Sequence, residues 1–510
     1  MKFCPECGAV LVTQRFCQEC GANISKYQNN EPVQGSFFDF SGLQAEAQRQ
    51  LDEQNLKEKR ELELEIKNGA LIRYTGTDTS VEVPEGVFEI GEGAFRFNPF
   101  VQKITLPSGL IRIKAYAFAS MPQLREIVVP NSVSEIGENA FFDCRALQNV
   151  TLPSSLNQLV GGVFQGCIGL REINIPNGVR VIGETVFAGE GTFDGCINLE
   201  RINIPSSVTE IGNDTFKDCS QLSQVALPNG LTKIGSGAFY NCNSLREISI
   251  PDTVLEIGAR AFYNCSSLAS VRMGQSSKLN KLGRGVFYGC TSLTSITIPR
   301  IDESPEYNRS KMYDIFDAGY SNEIPKSLKK ITVLGGRTIG KHAFNSFESV
   351  EEIILPSTIT EIEECAFLAC RSLRSINLPV GLEKIGDSAF NGCHSLSNLT
   401  IPPRVSVIEI DAFRDCISLT QITLPDSLIR LGERAFCDCT ALSSVSLPVY
   451  LSNMGREALG SGNLRVIYRG PSSNLYRDGY YSGYCNALEE ITNRYGSVKI
   501  SCNDKEINFS

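Results

Sequence analysis

From Phe95 onward the apolar residues recur at fixed offsets instead of at helical spacing. Around Phe141 the pattern is Phe141-x-x-Cys144-x-x-Leu147-x-x-Val150-x-Leu152-Pro153-x-x-Leu156, and the next Phe arrives at Phe164. The key Phe recurs at 95, 118, 141 and 164, at 193, 216, 239 and 262, at 287, and at 344, 367, 390, 413 and 436, mostly 23 residues apart. Such a period, with leucines at set places, predicts a stacked solenoid in which no turn buries its apolar face alone. Within a turn the alternation has period two. Leu147, Val150 and Leu152 point inward, Asn149 and Thr151 outward, and Pro153 stops the strand. A second extended stretch, such as Val133-Ser-Glu-Ile136-Gly137, forms another wall, and Ala140-Phe141 re-enters the core. Gly137 has counterparts at Gly91, Gly183, Gly212, Gly235, Gly258, Gly283, Gly340, Gly386 and Gly432, as expected for a turn needing positive φ. Lys114, Val160, Glu363 and Glu409 take that place elsewhere.

The segment Leu245 to Cys265 reads Leu-x-x-Ile-x-Ile-Pro-x-x-Val-x-x-Ile-Gly-x-x-Ala-Phe-x-x-Cys. It resembles the BspA-like (Treponema-type) leucine-rich repeat family, and the resemblance covers roughly residues 66–510. It implies a mainly β, right-handed leucine-rich repeat solenoid of 23-residue turns that binds proteins, often as a cell-surface adhesin. A cap is expected at 66–94, where Asn68-Gly69 marks a turn and Leu71 to Tyr74 and Val81 to Pro84 read as strands. The solenoid proper is expected at 95–463 and a C-terminal cap at 464–510, with closing strands at Leu464 to Tyr468 and Val498 to Ser501.

The N-terminus carries a different pattern. Cys4-Pro-Glu-Cys7-Gly8 and Cys17-Gln-Glu-Cys20-Gly21 are paired Cys-x-x-Cys knuckles, each setting two thiolates on one tight turn. Residues 1–24 are similar to the short prokaryotic zinc ribbon. Four thiolates from Cys4, Cys7, Cys17 and Cys20 fill a tetrahedral shell and leave no place for water, so the single Zn2+ expected here is structural. Residues 25–65 read as a flexible linker followed by a charged helix, the helical composition running from Ser41 to Lys67 with a weak Leu43, Ala47, Leu51 stripe.

Composition limits the function. A net charge of −9 disfavours nucleic acid as a partner. No basic and apolar leader and no apolar run long enough to span a bilayer occurs, which predicts a cytoplasmic protein. The repeat cysteines, Cys144, Cys167, Cys196, Cys219, Cys242, Cys265, Cys290, Cys370, Cys393, Cys416 and Cys439, follow the key Phe by three and are expected to be buried and reduced. Cys365, Cys437, Cys485 and Cys502 have no assigned role. His394 adjoins Cys393 and His342 stands alone, without an orienting acid in the sequence. With no phosphate loop either, the reading is a non-enzymatic scaffold for a protein partner. Two alternatives stand beside it, a BspA-like surface adhesin and a regulator whose ribbon docks nucleic acid or its machinery. The outward strand columns lack aromatics, whereas breaks in the rhythm at 188–193, 274–279 and 300–327 offer loops. Candidate partner-binding residues are Tyr307, Tyr313, Phe316 and Tyr320 in the longest break, and Tyr480 and Tyr481 near the C-terminus.

Overall fold

The computed structural model describes residues 63–184, 191–274, 276–300, 311–317, 324–460 and 464–469. It also describes the strands Lys2–Phe3, Val10–Leu11, Lys499–Cys502 and Lys505–Ile507 and helical residues within 45–59. The chain forms two compact units, Met1–Leu62 and Glu63–Ser510. In the first, Lys2–Phe3 pairs antiparallel with Val10–Leu11. The helical residues include Gln48, whose side-chain amide donates to Asp52 one turn on at 2.9 Å, and Leu51, which stays exposed as its weak stripe predicts.

The helix does not continue to Lys67. Leu64–Lys67 is a strand paired antiparallel with Ala70–Tyr74, and Asn68 and Gly69 reverse the chain between them with φ of 51° and 73°. Helix formers along 41–67 masked this, but Leu64 gains a buried place and the hairpin covers the edge of the first turn.

Most later turns add one short strand to each of two walls of parallel strands. On the first wall Lys103–Thr105, Glu126–Val128 and Asn149–Thr151 pair in register, Ile104 against Ile127 and Ile127 against Val150. The central residue faces the core and its neighbours face solvent. On the second wall Glu89–Ile90, Arg112–Ile113 and Glu135–Ile136 pair likewise and bury the Ile. At the far end Arg465–Tyr468 pairs parallel with Lys499–Cys502, and Lys505–Ile507 turns back antiparallel.

The third wall carries the key Phe and is built from turns. Its amides still bridge successive turns, Phe118 N–H donating to Ala140 O at 2.8 Å and Phe239 N–H to Ala261 O at 2.7 Å. The residues two before and two after the Phe are left-handed, as in Asn139 (φ 58°) and Asp143 (φ 55°) around Phe141. Asn, Asp and Gly tolerate this conformation best, which accounts for their frequency there. The Gly137 column is not the left-handed one: of its members only Gly183 has positive φ among the described residues. A Cβ at Gly137 would lie 2.5 Å from Ala115 N and one at Gly258 2.4 Å from Ser236 N, so this column is small because backbones of adjacent turns touch.

Inside, the Phe rings stack in a column with centroids 4.9–5.6 Å apart, from Phe95 to Phe287 and again from Phe344 to Phe436. The repeat cysteines are free and buried, as expected. Each thiol donates to the Phe carbonyl of the preceding turn, Cys144 to Phe118 O at 3.0 Å and Cys167 to Phe141 O at 3.1 Å. Phe141 O also accepts Cys144 N–H at 3.2 Å, so the thiol uses the second lone pair of a buried carbonyl. In the first turn Asn98 takes the cysteine place and its amide donates to Gly76 O at 2.9 Å.

Candidate functional site

The first wall presents a polar face. Many of its charges are paired between adjacent turns: Lys103 with Glu126 at 2.8 Å, Arg201 with Glu172 at 3.3 Å, Arg272 with Glu247 at 3.4 Å and Lys330 with Glu352 at 2.8 Å. Each exposed pair contributes only about 0–1 kcal/mol, but together they interleave the two signs on this face. A groove of about 590 Å³ there is lined by polar groups including Arg201, Gln221 and Arg246.

The outside of the third wall differs. The residue after the key Phe is Tyr in three successive turns, and the one-turn offset stacks Tyr240 on Tyr263 (4.6 Å, 1°) and Tyr263 on Tyr288 (4.7 Å, 15°). These rings are half-buried, and the exposed Arg260 guanidinium lies over Tyr263 at 5.8 Å. Burial first, and then Tyr240 and Tyr288, push the Tyr263 hydroxyl above its ordinary pKa, so it remains a hydrogen-bond donor. Beside the stack opens a groove of about 660 Å³ lined by Asp214, Lys217, Tyr240, Arg260, Arg284 and Asp317. Arg284 pairs with Asp317, which ties the groove to the irregular turn after Phe287. A smaller aromatic and basic cluster sits near the start of the solenoid, where Arg96 lies 4.7 Å from both Phe97 and Tyr116.

Of the residues expected to bind a partner, Tyr313 and Phe316 are described, and both pack inward. Phe316 is fully buried, and Phe287 N–H donates at 2.8 Å to Ile315 O, just before it. That is the bond each key Phe makes to the next turn, so Phe316 is the key Phe of an enlarged turn and not a contact anchor. The period hid this because 29 residues separate it from Phe287 and 28 from Phe344. The short helix Lys311–Ile315 leads into it, and strand Lys330–Gly335 keeps the first wall continuous by pairing with Ser295–Arg300. Tyr313 is half-buried, edge-on to Phe347 at 5.9 Å, with its hydroxyl donating to Asn345 O and its pKa pushed by burial to about 12. Phe347 takes the cysteine place in this turn and fills the space beside Phe316 and Phe344. Tyr307, Tyr320, Tyr480 and Tyr481, and the thiols Cys4, Cys7, Cys17 and Cys20, lie outside the described residues. Cys393 donates inward to Phe367 O at 3.3 Å while His394 turns to Asp415 at 2.8 Å, so the two do not form a nucleophile pair. The tyrosine stack was signalled by the recurring Phe-Tyr pairs 239–240, 262–263 and 287–288, a column outside the strands.

Parallel ladders of 23-residue turns with inward leucines define a leucine-rich repeat solenoid. The chain belongs to the BspA type leucine rich repeat region family, whose model matches residues 66–191, 188–308, 337–465 and 406–501. Similar solved structures include a leucine rich cell surface protein from Faecalibacterium prausnitzii A2-165, with 24% identity over 84% of this chain and 95% of that one and a TM-score of 0.33. A leucine-rich repeat protein from Bacteroides ovatus ATCC 8483 shares 22% identity over 85% of this chain and 87% of its own, with a TM-score of 0.36. The T. pallidum leucine rich repeat protein shares 25% identity over 49% and 88%, with a TM-score of 0.29. No curated protein matches the chain. Among the described residues no helix is long and apolar enough to cross a membrane.

Proposed function

We propose that this protein is a non-enzymatic scaffold that binds a protein partner on the third wall, at the Tyr240, Tyr263 and Tyr288 ladder. The observation that carries this is a stack of three half-buried tyrosines with an arginine over it, beside an open groove. Aromatic and Arg side chains held in place lose little entropy on contact and dominate binding hot spots. The sheet face, with many of its charges already paired, supplies a polar wall beside them. Tyr307 and Tyr320, near Asp317 in sequence, and Tyr480 and Tyr481 are further candidate contacts. A photo-reactive residue at Ala259 or Arg284 should cross-link the partner, whereas one at Thr151 or Thr400 should not; the opposite result would move the site to the sheet.

The proposal includes a structural zinc ribbon. Cys4, Cys7, Cys17 and Cys20 supply four thiols in two Cys-x-x-Cys-Gly pairs, and the antiparallel strands Lys2–Phe3 and Val10–Leu11 flank the first pair. A closed four-thiolate set would add folding energy and no reactivity. Elemental analysis should give zinc that a Cys4→Ser Cys17→Ser variant no longer retains on purification; zinc retained in that variant would remove the ribbon from the account.

A further inference from the structure

We propose a second metal site, of the zinc class, on the third wall at His342, Glu364 and Cys365. One ligand atom from each, a ring nitrogen, a carboxylate oxygen and the thiol, lies within 4.8 Å of the other two. The arrangement follows from the repeat. His342 and Cys365 occupy the same left-handed place in successive turns, each with φ of 55°, so their side chains leave the backbone in parallel about one strand spacing apart. Glu364 precedes Cys365, and its carbonyl accepts His342 N–H at 3.0 Å, which fixes the register.

The same three places further along hold a cation already. They are occupied by Asp411, Glu433 and Arg434, and the Arg434 guanidinium sits 2.9 and 3.0 Å from the Asp411 oxygens and 2.7 Å from Glu433 Oε1. These positions therefore bring side chains of two turns onto one positive centre. At His342, Glu364 and Cys365 no guanidinium stands among them, and the donors are nitrogen, oxygen and sulfur. That mixed set suits Zn2+ and disfavours Ca2+ and Mg2+, which take oxygen. Tetrahedral zinc wants its ligands about 3.3–3.8 Å apart, a closing of roughly an ångström that partly exposed side chains make by rotation. Asn345 Nδ2 lies 3.5 Å from His342 Nδ1, so ligation through Nε2 needs this amide to turn and offer its oxygen to Nδ1–H. Lys341, 3.4 Å from Glu364, is exposed and swings away on binding. On binding, the ion takes the place of the thiol proton, which leaves to water. Three protein ligands leave the fourth position to water or to a group of a partner.

The test uses the full chain in its Cys4→Ser Cys17→Ser form, so that the ribbon contributes no metal and its own status is read separately. Titrated with Co2+, this chain should bind one ion and show a thiolate-to-cobalt charge-transfer absorption. Adding Cys365→Ser should abolish the band, and adding His342→Gln or Glu364→Gln should weaken binding more than about 100-fold, beyond what loss of an outer partner costs. His394→Gln, at the other histidine, should change neither, with far-UV circular dichroism unchanged in all. Absence of cobalt binding by the folded Cys4→Ser Cys17→Ser chain, or a band that survives Cys365→Ser, would overturn the proposal.

Discussion

Replacing Phe316 by Ala separates a core position from a surface one. The ring is fully buried, and its centroid is 6.4 Å from that of Phe347, which in turn meets Phe344 edge-on at 5.7 Å. Loss of its apolar area at about 25 cal/mol per Å² accounts for roughly 2–3 kcal/mol. The cavity left behind brings the total to about 3–5 kcal/mol. Because each turn of a solenoid contacts only its neighbours, the loss stays near the enlarged turn. Native-state amide exchange reads it position by position. A local loss of about 3 kcal/mol corresponds to roughly 100-fold faster opening. The Phe287 amide, bonded to Ile315 O, should therefore exchange about 100-fold faster in Phe316→Ala, while Phe118 and Phe413 amides keep their rates. A change below about threefold at Phe287 would mean that the ring bears on no core contact, and the assignment of a hidden turn would be wrong.

Burial pushes the thiols of Cys144 and Cys290 up to about 12 and raises those of Cys167, Cys196, Cys219, Cys242 and Cys265 well above the ordinary range, so below pH 9 these seven stay protonated. At pH 8 a thiol reagent should label the half-buried Cys365 and Cys437 first and the ladder only after denaturation; equal rapid labelling of both sets would contradict the inward orientation. Gly258→Ala should cost about 1–3 kcal/mol, because its Cβ would lie 2.4 Å from Ser236 N, whereas Gly109→Ala, with nothing within 4 Å, should be neutral within about 0.5 kcal/mol. Urea denaturation of the two variants decides it, and equal stabilities would refute the close-approach reading.

Where the chain repeats at constant spacing, its structure was legible from period alone. Leu147, Val150 and Leu152 fall on the inner side of the first wall because period two is a property of any strand, and the repeat cysteines are buried as their regular place implied. What the pattern could not carry was geometry between turns. The glycine column could be read equally as a positive-φ need or as a close approach, and only the 2.5 Å from Gly137 to Ala115 N separates them. Phe316 escaped because its turn exchanges an extended segment for the helix Lys311–Ile315, which lengthens the period. Leu64–Lys67 escaped because glutamate and lysine suit a helix locally, while pairing with Ala70–Tyr74 decides the matter from outside the segment. The tyrosine ladder depended on knowing that the residue after each Phe faces out on a wall without strands.

The most direct test of the scaffold reading is the equilibrium Kd of the cross-linked partner for three forms of the full chain. Removing Tyr240, Tyr263 and Tyr288 together by alanine substitution is predicted to weaken binding at least about 30-fold, the loss of a hot spot worth about 2 kcal/mol. Thr151→Ala Thr400→Ala, on the sheet face, is predicted to change it less than about threefold. A threonine variant that binds more weakly than the tyrosine variant, with both as resistant to urea as the parent, would contradict the assignment and place recognition on the first wall.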